Sequence, residues 1–481
     1  MVFQLAINNF YIEGKSAIVN QFKLSLSLCS LLLLLFLVQI YGSKVEFIPK
    51  QSKMLKKHEC FWWFLLSLGV IIPYLEGKNQ IIKTKTYMTP LFTLKPGSVV
   101  ERFYYNTNFP KGHIAVKSFD VEVVDEAGNP IPLFETYLHH WGILRYYQHK
   151  DTKDPNTNTS FTQLQKPNFI IASNNGVCQK NALPQFFGTG ADSRKTSSFL
   201  PNPYGIEVGN EKEVPLGYEE KWVLNIHAID TRGVEDRIGC IECKRHLYNV
   251  TKDGLGKTLE DDYIGGLRCC YDQTQCKVKE GYEGEERNLY VRYTVKWVDW
   301  DDDLVIPLKV YIFDVTDTWK PFIDSTGAAE EHNCLVEYNV WSCSSTNKLG
   351  DECNATKRVK LFSPSSGYII YGMAHLHVGG LGSMLYGEDG RELCSSSPIY
   401  GNGSEIGNED GYVVGMSTCY PKPGSVKINN KEMLTLISKY DPAQNHIGVM
   451  GLFHIMVAQK LPNSMIHMEP LKELFDDKTT M

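Results

Sequence analysis

The chain reads as an all-β protein: two tandem jelly-roll-type β-sandwich domains behind an N-terminal hydrophobic leader. Three observations predict this. Short apolar–polar alternations recur from about residue 84, as in "GHIAVKSFDVEVVDEAGNPIP" (112–132) and "LYVRYTVKWVDW" (289–300). These runs are rich in Val, Ile, Tyr and Trp and are bounded by Gly, Pro, Asn or Asp, which end strands and form turns. Helical periodicity is nearly absent, and no regular repeat or low-complexity tract replaces it. Many short strands without helices to cover them bury their apolar faces against each other, as stacked antiparallel sheets.

The leader comes first. "KLSLSLCSLLLLLFLVQIYGS" (23–43) and "FWWFLLSLGVIIPYLEG" (61–77) are apolar and unlike the rest of the chain. Met54 opens "MLKKHECFWWFLLSLGVIIPYLEG", with two lysines, an apolar stretch, then small and polar residues. That is the layout of a secretory signal peptide, and it suggests translation from Met54. The first stretch also suits a signal peptide or a membrane anchor. Residues 1–80 are therefore expected to route the chain to the extracellular space, with membrane anchoring as the alternative.

Two features agree with secretion. Four N-x-S/T glycosylation sequons stand at Asn158, Asn249, Asn354 and Asn402. Eleven of the 13 cysteines follow residue 80, with Cys240, Cys243, Cys269, Cys270 and Cys276 clustered. In a secreted chain such a cluster reads as disulfides, and an odd total leaves one thiol free. A zinc site there would have only His246 for histidine support. The formal charge of −6 without a long basic run argues against nucleic acid as a partner.

Strand runs follow: "KWVLNIHAID" (221–230), "LVIPLKVYIFDVTD" (304–317), "SGYIIYGMAHLHVGG" (366–380) and "HIGVMGLFHIMVAQ" (446–459). The rhythm breaks at "DVTDTWKPFIDSTGAAEEHN" (314–333). This sets a first domain at 84–318, with loop insertions near 150–215 and 238–285, a second at 330–462, and a tail at 463–481.

Histidines carry the functional reading. His375 and His377 stand two apart in a strand run, so their rings leave one face about 7 Å apart at the backbone and can converge on one ion. His139 and His140 are adjacent, so on a regular strand they face opposite ways. Both reach one ion only at a strand end or a bulge. His227 lies within an apolar strand, where a lone histidine is usually a hydrogen-bonded core residue. Met450 stands between two glycines, where a strand methionine is usually filler, with Met456 as a rival sulfur. His446 and His454 lie about 13 Å away on either side of Met450, too far for all three to share an ion. Three neutral imidazoles suit zinc or copper; two imidazoles with a thioether favour copper, because soft sulfur stabilises Cu(I).

Two resemblances enter here. The stretch "LKPGSVVERFYYNTNFPKGHIAVKSFDVEVVDEAGNPIPLFETYLHHWGILRYY" (94–147) resembles the plant stress up-regulated nodulin family, and the likeness extends over most of the chain after residue 84. More remotely, the order HH, H, HxH, M is similar to the type II copper, ascorbate-dependent monooxygenases, which include peptidylglycine α-hydroxylating monooxygenase and dopamine β-monooxygenase. That resemblance implies two jelly rolls, each holding one copper across an open cleft. His139, His140 and His227 would hold an electron-storing copper, and His375, His377 and Met450 the copper that activates oxygen, with Gly379 and Gly380 keeping access open. The sequence also departs from it. Met373 replaces the arginine that grips a substrate carboxylate, His454 a tyrosine and Gly451 a cysteine, so glycyl-peptide amidation is not implied.

The expected function is thus that of a secreted, monomeric, copper-dependent monooxygenase-like protein with two coppers. It would hydroxylate a C–H bond of a small molecule or peptide with O₂ and a reductant such as ascorbate. The alternative is a non-catalytic, stress-associated secreted or cell-wall protein on the same scaffold, with or without copper.

Overall fold

The computed structural model describes residues 80–462, apart from 161–162, 165–166, 180–182, 325–326 and 344–354. The signal peptide or anchor expected within residues 1–79, the tail at 463–481 and the sequon at Asn354 lie outside these residues. Among the described residues no helix is long and apolar enough to cross a membrane.

The all-β fold is present. The strands up to residue 314 are β1 (Lys83–Met88), β2 (Phe92–Leu94), β3 (Val99–Tyr105), β4 (Ile114–Val124), β5 (Thr136–His149), β6 (Phe169–Ala172), β7 (Phe187–Thr189), β8 (Tyr204–Val208), β9 (Tyr218–Asp230), β10 (Arg287–Asp299) and β11 (Ile306–Asp314). After them come β12 (Lys320–Asp324), β13 (Gly327–Glu331), β14 (Glu337–Val340), β15 (Thr356–Phe362), β16 (Gly367–Leu376), β17 (Gly380–Tyr386), β18 (Glu392–Ser396), β19 (Pro398–Tyr400), β20 (Val413–Met416), β21 (Lys427–Ile428), β22 (Met433–Tyr440) and β23 (His446–Ala458).

One sheet runs in the order β1-β10-β4-β8-β11-β23-β16-β21, with β2 and β14 paired to its members. The sheet β3-β9-β5-β6, with β7 on β5, shares a core with its first half, and the sheet β15-β22-β17-β18 shares one with its second. β11 precedes the expected boundary at 318 but pairs along its length with β23, Leu308 opposite Ala458 through Asp314 opposite Leu452. The long sheet thus carries hydrogen bonding from one half to the other, and residues 80–462 belong to one compact unit.

Two faces of this sheet explain the unbroken apolar runs of β16 and β23, which are buried on both sides. Ala374, Leu376, Val449, Phe453 and Ile455 join the core of the second sandwich. Met373, Met450, Leu452 and Met456 point the other way, into a core shared with Leu138, Trp141 and Ile226 of the first. The candidate histidines of the second half lie on this latter face.

Disulfides join Cys178 to Cys334, Cys240 to Cys276 and Cys394 to Cys419. Cys343 is disulfide-bonded as well. Three thiols, those of Cys243, Cys269 and Cys270, are unpaired and buried, where the odd cysteine count suggested one. The sequon asparagines Asn158, Asn249 and Asn402 are exposed.

A candidate metal centre

The adjacent histidines of β5 sit on a bulge. In the pairing of β5 with β9, Leu138 faces Ala228 and His140 faces His227, so His139 is the extra residue. The bulge bends the strand and lets two neighbouring side chains turn to one side. Ring centroids are 6.0 Å apart for His139–His140, 4.7 Å for His139–His227 and 5.0 Å for His140–His227. One ligand atom from each ring lies within 4.8 Å of the others.

The tautomer of His140 is fixed from outside the cluster. His140 donates from Nε2 to the Asn225 amide oxygen at 3.1 Å, and the Asn225 amide nitrogen is turned away to donate to the Arg102 carbonyl. The Nε2 of His227 lies 3.4 Å from the Cys270 sulfur. With its Nε2 carrying the proton, the Nδ1 of His140 keeps its lone pair. Among the described residues the buried Nδ1 atoms of all three histidines have no hydrogen-bond partner. Unsatisfied buried polar atoms are costly, and three around one point form the donor set of a cation that takes neutral imidazoles. The residues present therefore fit a copper or zinc ion.

Burial also keeps the rings neutral. It lowers the pKa of His139 to about 3 and that of His140 to about 4, and holds His227 well below the usual range, with neighbouring imidazoles adding to the effect. The site is thus poised to accept a metal without first losing protons.

The second set lies on β16 and β23. His375 donates from Nδ1 to the Asp192 carboxylate at 3.1 Å, leaving its buried Nε2 without a partner; the buried Nε2 of His377 also has none. Their ring centroids are 5.3 Å apart. The last registered pair of the two strands is Leu376 with Gly451, so His377 and Met450 follow directly on the opposite face. Tyr440 ties them together: its hydroxyl accepts from His377 N at 2.9 Å and donates to Met450 O at 2.6 Å. Met456 lies farther along β23, opposite Tyr371, beyond His375 and His377.

The two sets also meet each other. His139 and His377 are 5.1 Å apart between centroids, edge to face. The row His140–His227–His139–His377–His375 is continuous, each ring centroid 4.7–5.3 Å from the next. His139, His227, His375 and His377 are all at most 5% exposed. Gly379 does not open a path: a side chain there would strike the His446 ring, and its φ of +89° is a left-handed conformation. Gly380 packs against Leu376.

A family model described as Stress up-regulated Nod 19 matches residues 80–460. The chain belongs to this stress up-regulated Nod family. A search of curated proteins finds no match. Among solved structures the chain is similar at 6% identity to the Cry4Aa toxin of Bacillus thuringiensis, covering 80% of this chain and 59% of the toxin's length, with a TM-score of 0.17. It is similar at 10% identity to the infectious bursal disease virus VP2 subviral particle, covering 79% and 73%, with a TM-score of 0.17. For the Sputnik virophage structure the identity is 9%, the coverage 90% and 99%, and the TM-score 0.21. These scores carry no inference about this Nod family member.

Several residues of the Nod protein's centre escaped the sequence reading. Asp192 and Asn225 orient His375 and His140 from 183 and 85 residues away. No local pattern marks Asp192. Asn225 stands two residues before His227, on the same strand face, which was the one available signal. His454 faces Met373 across the β16–β23 pair. It is buried, its Nε2 lacks a partner among the described residues, and burial lowers its pKa to about 3.

Proposed function

We propose that this stress up-regulated Nod protein is a secreted copper protein of the monooxygenase-like kind. Three convergent, unpartnered Nδ1 atoms, with the Nε2 proton of His140 held by Asn225, carry this reading. His139, His140 and His227 would hold one ion, and His375, His377 and Met450 a second. Met450 favours copper over zinc, since a thioether stabilises Cu(I). Bound copper would supply one-electron redox chemistry and activation of O₂, with ascorbate or a similar reductant recharging it. The protein's own burial holds the rings neutral and excludes water from them, and Asn225 and Asp192 fix the tautomers of His140 and His375. The disulfides and exposed sequons support an extracellular location.

A second reading rests on a specific observation. The imidazoles are buried, and Met373 and His454 face each other at the positions where the amidating enzymes carry an arginine and a tyrosine. This favours a copper-holding protein without turnover of peptides, and a small C–H substrate if turnover occurs.

Metal analysis of the secreted protein with ascorbate-dependent oxygen uptake tests both. Two coppers per chain with uptake supports the enzyme, and copper without uptake supports the holding protein. A chain that takes up no copper rejects both. Met450→Ile should weaken Cu(I) binding at the second site about tenfold or more while leaving Cu(II) at the first; unchanged Cu(I) affinity would remove Met450 from the ligand set.

A further inference from the structure

His454 shares the face of β23 that carries Met450, Leu452 and Met456. Met373 of β16 stands directly opposite His454, and Tyr371 opposite Met456. Residues directly opposite on antiparallel strands hold their Cβ atoms about 4.5–5.5 Å apart, and diagonal neighbours stay within reach of long side chains. One imidazole and two thioethers therefore share a single patch of sheet. All three are buried: His454 is 4% exposed, Met373 5% and Met456 1%. Methionines in a core are usually filler. A buried imidazole is not, because its polar atoms cost free energy unless they are paired. His375 and His446 meet that cost with the carboxylates of Asp192 and Glu242. The buried Nε2 of His454 has no partner among the described residues.

We propose that His454, Met373 and Met456 form a third metal site, one that takes a soft monovalent ion, Cu(I). Thioether sulfur stabilises Cu(I), whereas Zn(II) rarely accepts methionine, and this set offers no charged ligand to a divalent ion. Long, flexible methionine side chains can bring their sulfurs to an imidazole on the same face. The set shares no residue with His139, His140 and His227, or with His375, His377 and Met450, so it does not rest on the reading of those two sites. An ion at this depth enters as the chain folds.

The test therefore supplies copper during folding. The full chain is secreted from cells grown with copper, purified anaerobically with ascorbate, and its copper per chain is counted by elemental mass spectrometry. Wild type is expected to hold one ion beyond those of the two histidine sets, three in all. The paired change Met373→Leu with Met456→Leu should hold two, since leucine conserves the volume and keeps the fold, which thermal melting checks. Equal copper in both proteins overturns this inference and leaves the copper reading of the histidine sets in place. A single ion that the leucine pair removes supports this site and overturns that reading instead. No copper in either protein overturns both. Should the leucine pair fail to fold, X-ray absorption at the copper edge decides on wild type. The third site raises the average to about one thioether sulfur per copper, and about one-half without it overturns the inference.

Discussion

At the scale of single residues, the centre depends on which nitrogen of each ring holds its proton. Asn225 fixes this for His140, and such outer contacts are worth about 10–100-fold in metal affinity. Asn225→Leu removes the acceptor and should weaken metal binding by about that factor, measured by competition with a chelator. Asn225→Asp keeps an acceptor and should stay near wild type; equal loss in both variants would mean that packing, not the tautomer, was disturbed. The same burial predicts an acid limit for the metal-free protein. An unfolded histidine titrates near 6.5, whereas His139 and His140 in the fold titrate near 3 and 4. Below about pH 6.5 the unfolded chain therefore binds more protons than the folded one. Stability is fully present above that pH and falls as the pH drops toward 4, by up to about 1.4 kcal/mol per pH unit for each such histidine. Urea midpoints from pH 7.5 to 4.5 should show this decline. His139→Gln should shallow it, and a flat profile would mean the rings are hydrated rather than buried.

At the scale of elements, adjacent His139 and His140 could share an ion only at a strand end or a bulge, and β5 carries a bulge there. The alternation of β16 likewise put His375 and His377 on one face. What could not be read was the company these strands keep. "LVIPLKVYIFD" is as good a strand for one sheet as for another, and only its long-range pairing with β23 assigns it. Asp192 was illegible for the same reason: its role comes from a contact far along the chain. The turn after β7 shows how much such a contact constrains. A Cβ on Gly190 would lie 2.3 Å from the His139 carbonyl oxygen and 3.2 Å from that of Leu138. The space at Gly190 bars alanine. Gly190→Ala should push the turn off the bulge, cost about 1–3 kcal/mol as overpacking does, and lower metal affinity with it. Thermal melting and a metal titration check both, and wild-type affinity in a destabilised variant would separate the bulge from the site.

At the scale of the whole molecule, the centre exists only because two sandwiches share a core, and a buried ion pair pins them beside it. Arg194 Nη1 meets Glu409 Oε1 at 2.8 Å, with Glu409 fully buried. The same carboxylate accepts from Leu133 N at 3.1 Å and Gly407 N at 3.0 Å, while Arg194 also donates to the Ile131 carbonyl. Arg194 belongs to the short turn Ala191–Arg194, whose Asp192 holds His375. Removing one partner strands the other charge in the interior, which typically costs about 3–5 kcal/mol. Glu409→Ala should therefore lower the melting temperature by several degrees. It should also loosen the turn, so that metal affinity falls at His375 and His377 more than at His139, His140 and His227. The paired change Arg194→Met with Glu409→Met removes both charges and should recover most of the stability. If it also restores the second site, the ion pair acts through packing alone. If stability returns but the site stays weak, the charges themselves hold Asp192 in place, and the link between the halves is electrostatic.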